Sequence, residues 1–250
     1  MDLGLEGRVA LVTGASQGIG RAIAAELVAE GARVAMASRS RERIEEAAGA
    51  VGAEAFVHDV ADLDAVPGLL AGVEERLGGP VEVLITNSGG PPAGPDPLAF
   101  TREQWEQAYR MLVLGPMALI EDALPAMRSR GWGRIVAVSS ASVREPIPEI
   151  VLSNVHRSGL LAGFRTVARA VAGDGVTLNS LLTGQIATER LYSLRGGPEA
   201  AEEAARQTIP AGRPGTPEEM AAAAVFLCST RAAFITGEAV RVDGGAARAV

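Results

Sequence analysis

Short apolar segments of strand length alternate along the chain with longer stretches of helical periodicity. This alternation is typical of βαβ units, because neighbouring parallel strands need a crossover connection. The segments are largely apolar throughout, so we expect both faces of the sheet to be covered. The seven predicted strands are residues 8–12, 33–38, 54–57, 81–86, 134–139, 176–181 and 239–242.

The intervals between the strands predict the helices and the domain organisation. Two stretches rich in Gly and Pro, residues 89–97 and 196–215, are too long and irregular for simple connections. Strands and helices resume directly after each stretch, so neither indicates a domain boundary. We expect one domain, residues 1–250, with helices at 18–30, 41–51, 62–77, 101–129 with bends near Pro116 and Pro125, 149–172 and 217–229.

Charge and composition exclude several classes of partner. The net charge is −7 and no basic block is present, which argues against nucleic acid and acidic membranes. No apolar stretch reaches the ~18 residues of a membrane span, and the first residues lack the basic charge of a signal peptide, so we expect a cytoplasmic protein. A single cysteine, Cys228, rules out an internal disulfide and predicts a buried thiol. No metal site is predicted.

A glycine-rich turn follows the first predicted strand, with the sequence TGASQGIG at residues 13–20. Glycines at its start and end allow a tight turn and a close approach of the backbone to a phosphate, and the next helix offers its positive N-terminus. This strand, turn and helix together predict a dinucleotide site. The candidate cofactor residues here are Gly14, Ser16, Gln17, Gly18, Ile19 and Gly20.

The TGxxxGxG spacing of this turn resembles the short-chain dehydrogenase/reductase family, and further matches cover the whole chain. The resemblance implies a single doubly wound Rossmann-type α/β domain and a nicotinamide cofactor. The segment 209–219 and the closing Val-Asp-Gly-Gly at 242–245 resemble the 3-oxoacyl-(acyl carrier protein) reductase branch, which implies a small-molecule or acyl-carrier substrate.

The end of the second strand bears on the choice between NAD and NADP. Ser38 and Arg39 stand where an acid would bind the adenosine ribose of NAD, and no acid is present there. A hydroxyl beside a fixed cation suits a 2′-phosphate, so NADP is favoured over NAD. The alternative is that Arg39 is simply solvated at the start of the next helix.

The resemblance assigns further residues to the cofactor. Asp59 and Val60 match an Asp-Val pair that contacts adenine, although Asp59 is equally suited to capping the helix predicted near Asp62. Thr183-Gly184 stands in place of a Pro-Gly beside the nicotinamide, and a substrate lid follows at about 186–215. The resemblance also places Asn87, Ser88, Gly89, Arg157, Gly184 and Ile186 beside the cofactor.

The catalytic positions of the family depart from its pattern in this chain. Ser140 matches the serine that bonds the substrate oxygen, whereas the family's Tyr-x-x-x-Lys aligns with Ser153 and Arg157, and its helical Asn with Leu112. The chain contains no lysine and its 23 basic residues are all arginines, so no nearby lysine replaces the missing one. The candidate catalytic residues are therefore Ser140, Ser153 and Arg157.

Chemistry limits what these replacements do. A serine hydroxyl is a far weaker acid than a phenol with pKa near ~10, and Arg157, with an ordinary pKa above ~12, suits holding a group and not relaying a proton. Loss of general acid–base help removes about 10²–10⁴-fold in rate, so turnover is slowed and not abolished. His156 titrates in a suitable range but lies one helical turn from Ser153, so a surface or packing role is favoured for it.

Two functional hypotheses follow. One is an NADP-linked oxidoreductase with a divergent mechanism, and the other is a non-catalytic dinucleotide-binding protein that acts as a sensor or subunit partner. Another class of doubly wound binder would leave the Ser-Ser at 139–140 and the C-terminal matches unexplained. The apolar face of the helix predicted at 149–172 fits either the core or a second subunit, and the resemblance implies a homo-oligomer, a dimer or tetramer.

Overall fold

A seven-stranded parallel sheet forms the centre of the computed structural model, which describes residues 2–248. The strand order is β3-β2-β1-β4-β5-β6-β7, so the chain builds outward in one direction and then in the other. The strands are β1 (Val9–Thr13), β2 (Arg33–Ser38), β3 (Glu54–Val57), β4 (Val83–Thr86), β5 (Gly133–Ser140), β6 (Val176–Thr183) and β7 (Ala239–Val242).

Helices connect the strands and lie on both faces of the sheet. They are α1 (Gly18–Ala29), α2 (Arg41–Val51), α3 (Val66–Leu77), α4 (Arg102–Tyr109), α5 (Gly115–Ser129), α6 (Val151–Val171), α7 (Glu189–Arg195), α8 (Pro198–Thr208) and α9 (Pro217–Cys228). Several of these ends follow from sequence: α2 stops at Gly52 and α3 at Gly78, both with positive φ, and Thr216 with Glu219 forms a capping box at the start of α9.

The alternating side chains of β1 show how the two cores form. Val12 faces a cluster built with α1, α2 and α9, whereas Leu11 faces a second cluster that includes Phe164 of α6. Both strand residues are fully buried, as are Leu27 of α1 and Phe164. The apolar runs in the sequence are thus strands covered on both faces, and the predicted doubly wound Rossmann-type fold is confirmed.

A topological switch point lies between β1 and β4. β1 pairs with β2 on one side and with β4 on the other, so the connections after these two strands diverge to opposite faces of the sheet. Divergent connections leave a crevice at the carboxyl ends of the strands, where open α/β sheets bind their ligands. The glycine-rich turn after β1 and the residues after β4 therefore border one cleft.

The structure departs from the sequence-based expectation mainly in its helices. The helix predicted at 62–77 starts at Val66, and the helix predicted at 101–129 contains a π-helical turn at Arg110–Leu114. That turn precedes Pro116, which has no N–H for the carbonyl of Leu112. The stretch 196–215 was expected to be irregular, yet α8 occupies much of it, because an Ala- and Glu-rich segment starts after Gly197 with Pro198 at its first position.

Candidate active site

The turn between β1 and α1 forms a tight backbone cradle. Gly14 and Gly18 have φ of 58° and 56°, the left-handed region that favours glycine. A Cβ on Gly20 would overlap the carbonyl oxygen of Gly14, and a Cβ on Gly14 would lie 2.7 Å from the carbonyl oxygen of Asn87. All three glycines are thus required by the geometry of the turn and not only by flexibility.

The N-terminus of α1 is left open to a ligand. Its N-cap residue Gln17 makes no side-chain capping bond and no acid lies in its first turn. By contrast, Ser40, Thr101 and Thr216 cap α2, α4 and α9 with their hydroxyls. Free N–H groups and the helix dipole at an uncapped end suit a phosphate, so the segment that holds Ser16, Gln17, Gly18, Ile19 and Gly20 fits a dinucleotide pyrophosphate.

Asn87 ties the end of β4 to this cradle. Its Nδ2 donates to the carbonyl of Gly14 at 3.0 Å, its N–H donates to Thr13 Oγ1 at 3.0 Å, and its carbonyl accepts from that hydroxyl at 2.8 Å. These bonds cross the switch point between β1 and β4. Ser88 and Gly89 follow directly, so the same tether brings them to the cleft.

The end of β2 offers a second polar position. Ser38 Oγ is buried and has no hydrogen-bond partner among residues 2–248, and Arg39 next to it is exposed. An orphaned hydroxyl beside an exposed guanidinium, with no acid in either position, favours a bound phosphate over the unmodified ribose that an acid would bind. The neighbouring Ser40 caps α2 and so holds this corner in place.

The loop after β3 contains Asp59 and Val60. Asp59 is exposed and its Oδ1 accepts from the N–H of Ala61 at 3.0 Å. The suggestion that Asp59 caps the following helix is wrong, because α3 begins four residues beyond the predicted start and its N-cap is Ala65. The backbone of Val60 packs closely against Gly115, since a Cβ on Gly115 would overlap the Val60 carbonyl oxygen.

His58 precedes this pair and is buried. Burial lowers the pKa of His58, while Asp62 and Asp59 oppose that shift. Its Nε2 has no partner within the described residues. A neutral imidazole therefore lies beside the loop that the resemblance assigns to adenine.

Ser140 ends β5 in the cleft. Its Oγ accepts from the N–H of Ser142 at 3.1 Å, and this bond starts a short turn at Ala141–Val143. A hydroxyl that accepts from the backbone keeps its own hydrogen available to donate. Ser140 is thus oriented by its own loop and able to donate to an oxygen in the cleft.

Arg157 and Ser153 form one unit on α6. Arg157 Nε donates to Ser153 Oγ at 3.1 Å, and Arg157 Nη1 donates to the carbonyl of Val138 on β5 at 2.8 Å. Burial, with a smaller effect from the positive charge of Arg190, lowers the pKa of Arg157 to about 10. The guanidinium stays charged at neutral pH, and no carboxylate within residues 2–248 pairs with it.

The end of β6 closes the cleft on another side. Gly184 donates its N–H to the carbonyl of Val242 at 3.0 Å, and a Cβ on it would lie 2.7 Å from Asp243 Cα. Ile186 is buried and pairs with Gly215 in an isolated bridge. Thr188 then passes over the phosphate turn, because a Cβ on Gly18 would lie 3.2 Å from its methyl carbon.

Other candidates lie elsewhere. His156 packs edge-on against Trp105 and Tyr109 of α4, its Nε2 is 3.2 Å from the Trp105 carbonyl, and burial lowers its pKa, so it acts as a packing residue. Cys228 is buried as expected, with burial raising its pKa to about 12. Among the described residues no His, Cys, Asp and Glu group is arranged to hold a metal ion, and no helix is long and apolar enough to cross a membrane.

Comparison with known proteins places this site in context. Residues 14–247 match the family described as enoyl-(acyl carrier protein) reductase. Human dehydrogenase/reductase SDR family member 4 is 32% identical over 96% of this chain and 88% of its own length. L-Sorbose reductase from Gluconobacter frateurii, solved with NADPH and L-sorbose, is 30% identical with TM-score 0.91 and full coverage of both chains, 100% each.

A third similar protein carries a bound nucleotide as well. It is a 3-oxoacyl (acyl-carrier-protein) reductase from Agrobacterium tumefaciens, solved with NADP. It is 31% identical with TM-score 0.91, and the alignment covers 98% of this chain and 96% of that one. The similarity therefore extends over both ends of the cleft.

Proposed function

The chain belongs to the short-chain dehydrogenase/reductase family, and from this premise we propose that it is an NADP(H)-linked oxidoreductase that reduces a carbonyl compound. The observation that carries the proposal is the placement of two sets of groups at the carboxyl edge of the parallel sheet. The uncapped N-terminus of α1 at Gln17 follows β1, the hydroxyl of Ser140 ends β5, and Arg157 donates to the Val138 carbonyl of β5. Phosphate-binding and carbonyl-binding groups thus lie along the edge of the sheet where open α/β folds bind their ligands.

The residues of the cradle would hold the cofactor along this cleft. The backbone from Gly14 to Gly20 faces the pyrophosphate, and Ser38 with Arg39 faces the 2′-phosphate, which is why NADP is preferred to NAD. When bound, the reduced cofactor supplies the hydride. The remaining proposed contacts are Asp59, Val60, Asn87, Ser88, Gly89, Arg157, Gly184 and Ile186.

In this proposal the chain's own residues act by stabilising the negative charge that develops on the substrate oxygen. Ser140 donates its hydroxyl hydrogen to the carbonyl oxygen, and the Arg157 cation stabilises the negative charge that develops there. Ser153 accepts from Arg157 Nε and so orients the guanidinium. Neither serine is acidic enough to serve as the general acid, so the new alkoxide oxygen takes its proton from water.

Substrate class is the finer part of the proposal. The segment 209–219 resembles that of the 3-oxoacyl branch, and a similar protein from Agrobacterium is named a 3-oxoacyl reductase. We therefore infer a 3-oxoacyl compound, free or on an acyl carrier, as the first substrate to test. Residues 186–215 are proposed as its lid.

A carbonyl screen with NADPH tests the function. We expect slow oxidation of NADPH with at least one 3-oxoacyl substrate, and a loss of about 10²-fold in the Ser140→Ala variant, which removes the hydrogen bond to the developing charge. Binding of NADPH and NADH is measured on the same preparation by fluorescence titration. Tight NADPH binding with no turnover of any carbonyl at high protein concentration would refute catalysis.

That same result would support a second function, a non-catalytic dinucleotide-binding protein. One observation favours this second function. Serine hydroxyls do not ionise near neutral pH, and the pKa of Arg157 is about 10, so the cluster of Ser140, Ser153 and Arg157 offers no acid or base for proton transfer. A turnover number in the usual range of 1–10³ per second, roughly, would exclude it.

We also propose that the protein is a homo-oligomer, a dimer or tetramer. Tyr109 of α4 and Val155 of α6 are exposed by 45% and 49%, although Leu160 and Phe164 of α6 are buried in the core. One part of the apolar face of α6 is therefore buried in the core. Another part lies exposed beside Tyr109 of α4, where a second subunit would cover it. Light scattering of the purified protein tests this, and a monomer at high concentration would contradict it.

A further inference from the structure

Arg190, in the first turn of α7, lies against the loop that follows β4. Its Nη2 donates to the carbonyl of Pro91 at 3.0 Å. A Cβ on Gly90 would lie 2.8 Å from Nη2 and 3.0 Å from the central carbon of the guanidinium, so the group packs directly on this glycine. The first turn of α7 is thus attached to the loop after β4 through Arg190.

Arg190 and Arg157 contact the ends of two paired strands, since Arg190 bonds to the loop after β4 and Arg157 bonds to the Val138 carbonyl of β5. The positive charge of Arg190 contributes to the lowered pKa of Arg157, after burial as the larger cause. No carboxylate among residues 2–248 pairs with either group. Arg213, which also lies in the lid, is by contrast paired with Glu219 at 2.6 Å. A bound anion would therefore be attracted by both cations.

The cofactor's pyrophosphate does not account for this pair. Thr188, and not Arg190, lies over the phosphate turn, through its contact with Gly18. Arg190 lies instead at Gly90 and Pro91, beyond the end of β4, and its electrostatic partner Arg157 is bonded to Ser153 and to β5. The two cations therefore lie away from the phosphate turn, where the proposed function places Arg157 against both the cofactor and the carbonyl oxygen of the substrate.

We propose that Arg190 binds a carboxylate of the substrate beside Arg157, so that the protein acts on oxo acids in preference to neutral carbonyl compounds. This inference rests on the proposed function, in which Arg157 faces the carbonyl oxygen. A guanidinium fork matches a carboxylate in a bidentate geometry, and a 2- or 3-oxo acid carries its carboxylate within one or two carbons of the carbonyl. Neighbouring guanidinium groups suit both oxygen groups of such a molecule.

A comparison of acid with ester tests the proposal. Acetoacetate and methyl acetoacetate are assayed with NADPH on the wild type, on Arg190→Gln and on the control Arg195→Gln, which removes an equal charge from the exposed end of the same helix. We expect the wild type to prefer the acid, and Arg190→Gln to lose about 10- to 100-fold in kcat/KM for the acid alone. The control keeps the preference.

A second variant changes the position of Arg190 without changing its charge. Gly90 has an ordinary φ, so Gly90→Ala is tolerated by the backbone while its methyl group displaces the guanidinium. We expect a reduced acid-to-ester ratio in this variant as well. An unchanged ratio in Arg190→Gln would overturn the proposal, and so would a loss that appears equally with acid and ester.

A binding measurement separates this proposal from the proposed function. Malonate is titrated into the full-length protein saturated with NADP⁺, and thermal stabilisation is followed. We expect wild type and Arg195→Gln to be stabilised and Arg190→Gln not to be, even if no carbonyl is turned over. Equal stabilisation of all three overturns the carboxylate site, and a weaker NADPH affinity of Arg190→Gln with an unchanged malonate response assigns the arginine to the cofactor instead.

Discussion

Arg157 Nε lies 3.1 Å from Ser153 Oγ, and the two residues are one helical turn apart on α6. The serine accepts the bond and the arginine keeps other N–H groups for the cleft and for the Val138 carbonyl. A hydroxyl and a guanidinium therefore form an oriented cation at the positions that we align with the family's phenol and amine. In the proposed function this cluster stabilises negative charge, but Ser140, Ser153 and Arg157 include no acid that titrates near pH 7.

The pH dependence of kcat follows from this arrangement. Arg157 has a pKa of about 10, and it must be protonated to stabilise the developing alkoxide. We expect kcat to be flat between about pH 7 and pH 9 and to fall as the pH rises through the Arg157 pKa. A steady-state pH profile measures this. A sigmoidal change near neutrality would instead reveal a general acid outside this cluster.

Charge removal at Arg157 tests its role directly. In Arg157→Gln the cation is lost, and we expect kcat to fall by about 10²–10³-fold, the usual effect of removing a group that stabilises an oxyanion. Arg157→Lys keeps the charge but not the two directed bonds to Ser153 and Val138, so it should retain more activity. NADPH affinity is measured for both variants. Equal activity of Gln and Lys variants would argue against electrostatic catalysis.

The glycine cradle makes a prediction with a matched control. Gly20→Ala places a methyl group against the Gly14 carbonyl, so we expect a loss of about 1–3 kcal/mol in the free energy of unfolding and weaker NADPH binding. Gly49→Ala in α2 meets no atom within 4 Å and should be stabilising by up to about 1 kcal/mol. Urea unfolding and NADPH titration check both. Equal effects of the two substitutions would contradict the cradle geometry.

Much of this molecule could be predicted from sequence. The strand positions follow from short apolar runs, and the phosphate turn follows from glycines placed between a strand and a helix. Local signals of this kind survive because propensity and tertiary packing agree there. By contrast, the π-helical turn at Arg110–Leu114 has only one local signal in the sequence, the missing N–H of Pro116.

The long-range contacts of the site were beyond sequence reasoning. Asn87 was assigned to the cofactor by resemblance, but its bond to Gly14 joins residues 73 positions apart. Nothing in the sequence separates Arg190 from the other polar residues of the proposed lid, and only its contacts with Gly90 and Pro91 locate it. Spacing along one chain does not report such contacts, because the sheet order that creates them is set by the whole fold.

The cofactor preference should depend on Arg39. In Arg39→Gln the guanidinium that we assign to the 2′-phosphate is lost, and we expect NADPH affinity to fall by about 10- to 100-fold. NADH has no such phosphate and serves as the internal control, so its affinity should not change. Fluorescence titration with both nucleotides decides the matter. A parallel loss for NADPH and NADH would show that Arg39 has another role.

Stability should decline on mild acidification because of His58. Burial lowers the pKa of His58, so in mild acid the unfolded chain binds a proton that the folded chain does not. The free energy of unfolding therefore decreases as the pH falls through the unfolded-state pKa, near ~6.5.

His58→Gln removes this proton uptake, so its loss of stability between pH values of about 7.5 and 5.5 should be smaller than that of wild type. Urea unfolding at both pH values measures the difference, and His156→Gln, which removes the other buried histidine, provides a parallel comparison. An identical pH dependence of wild type and His58→Gln would show that the imidazole is protonated equally in the folded and unfolded chains.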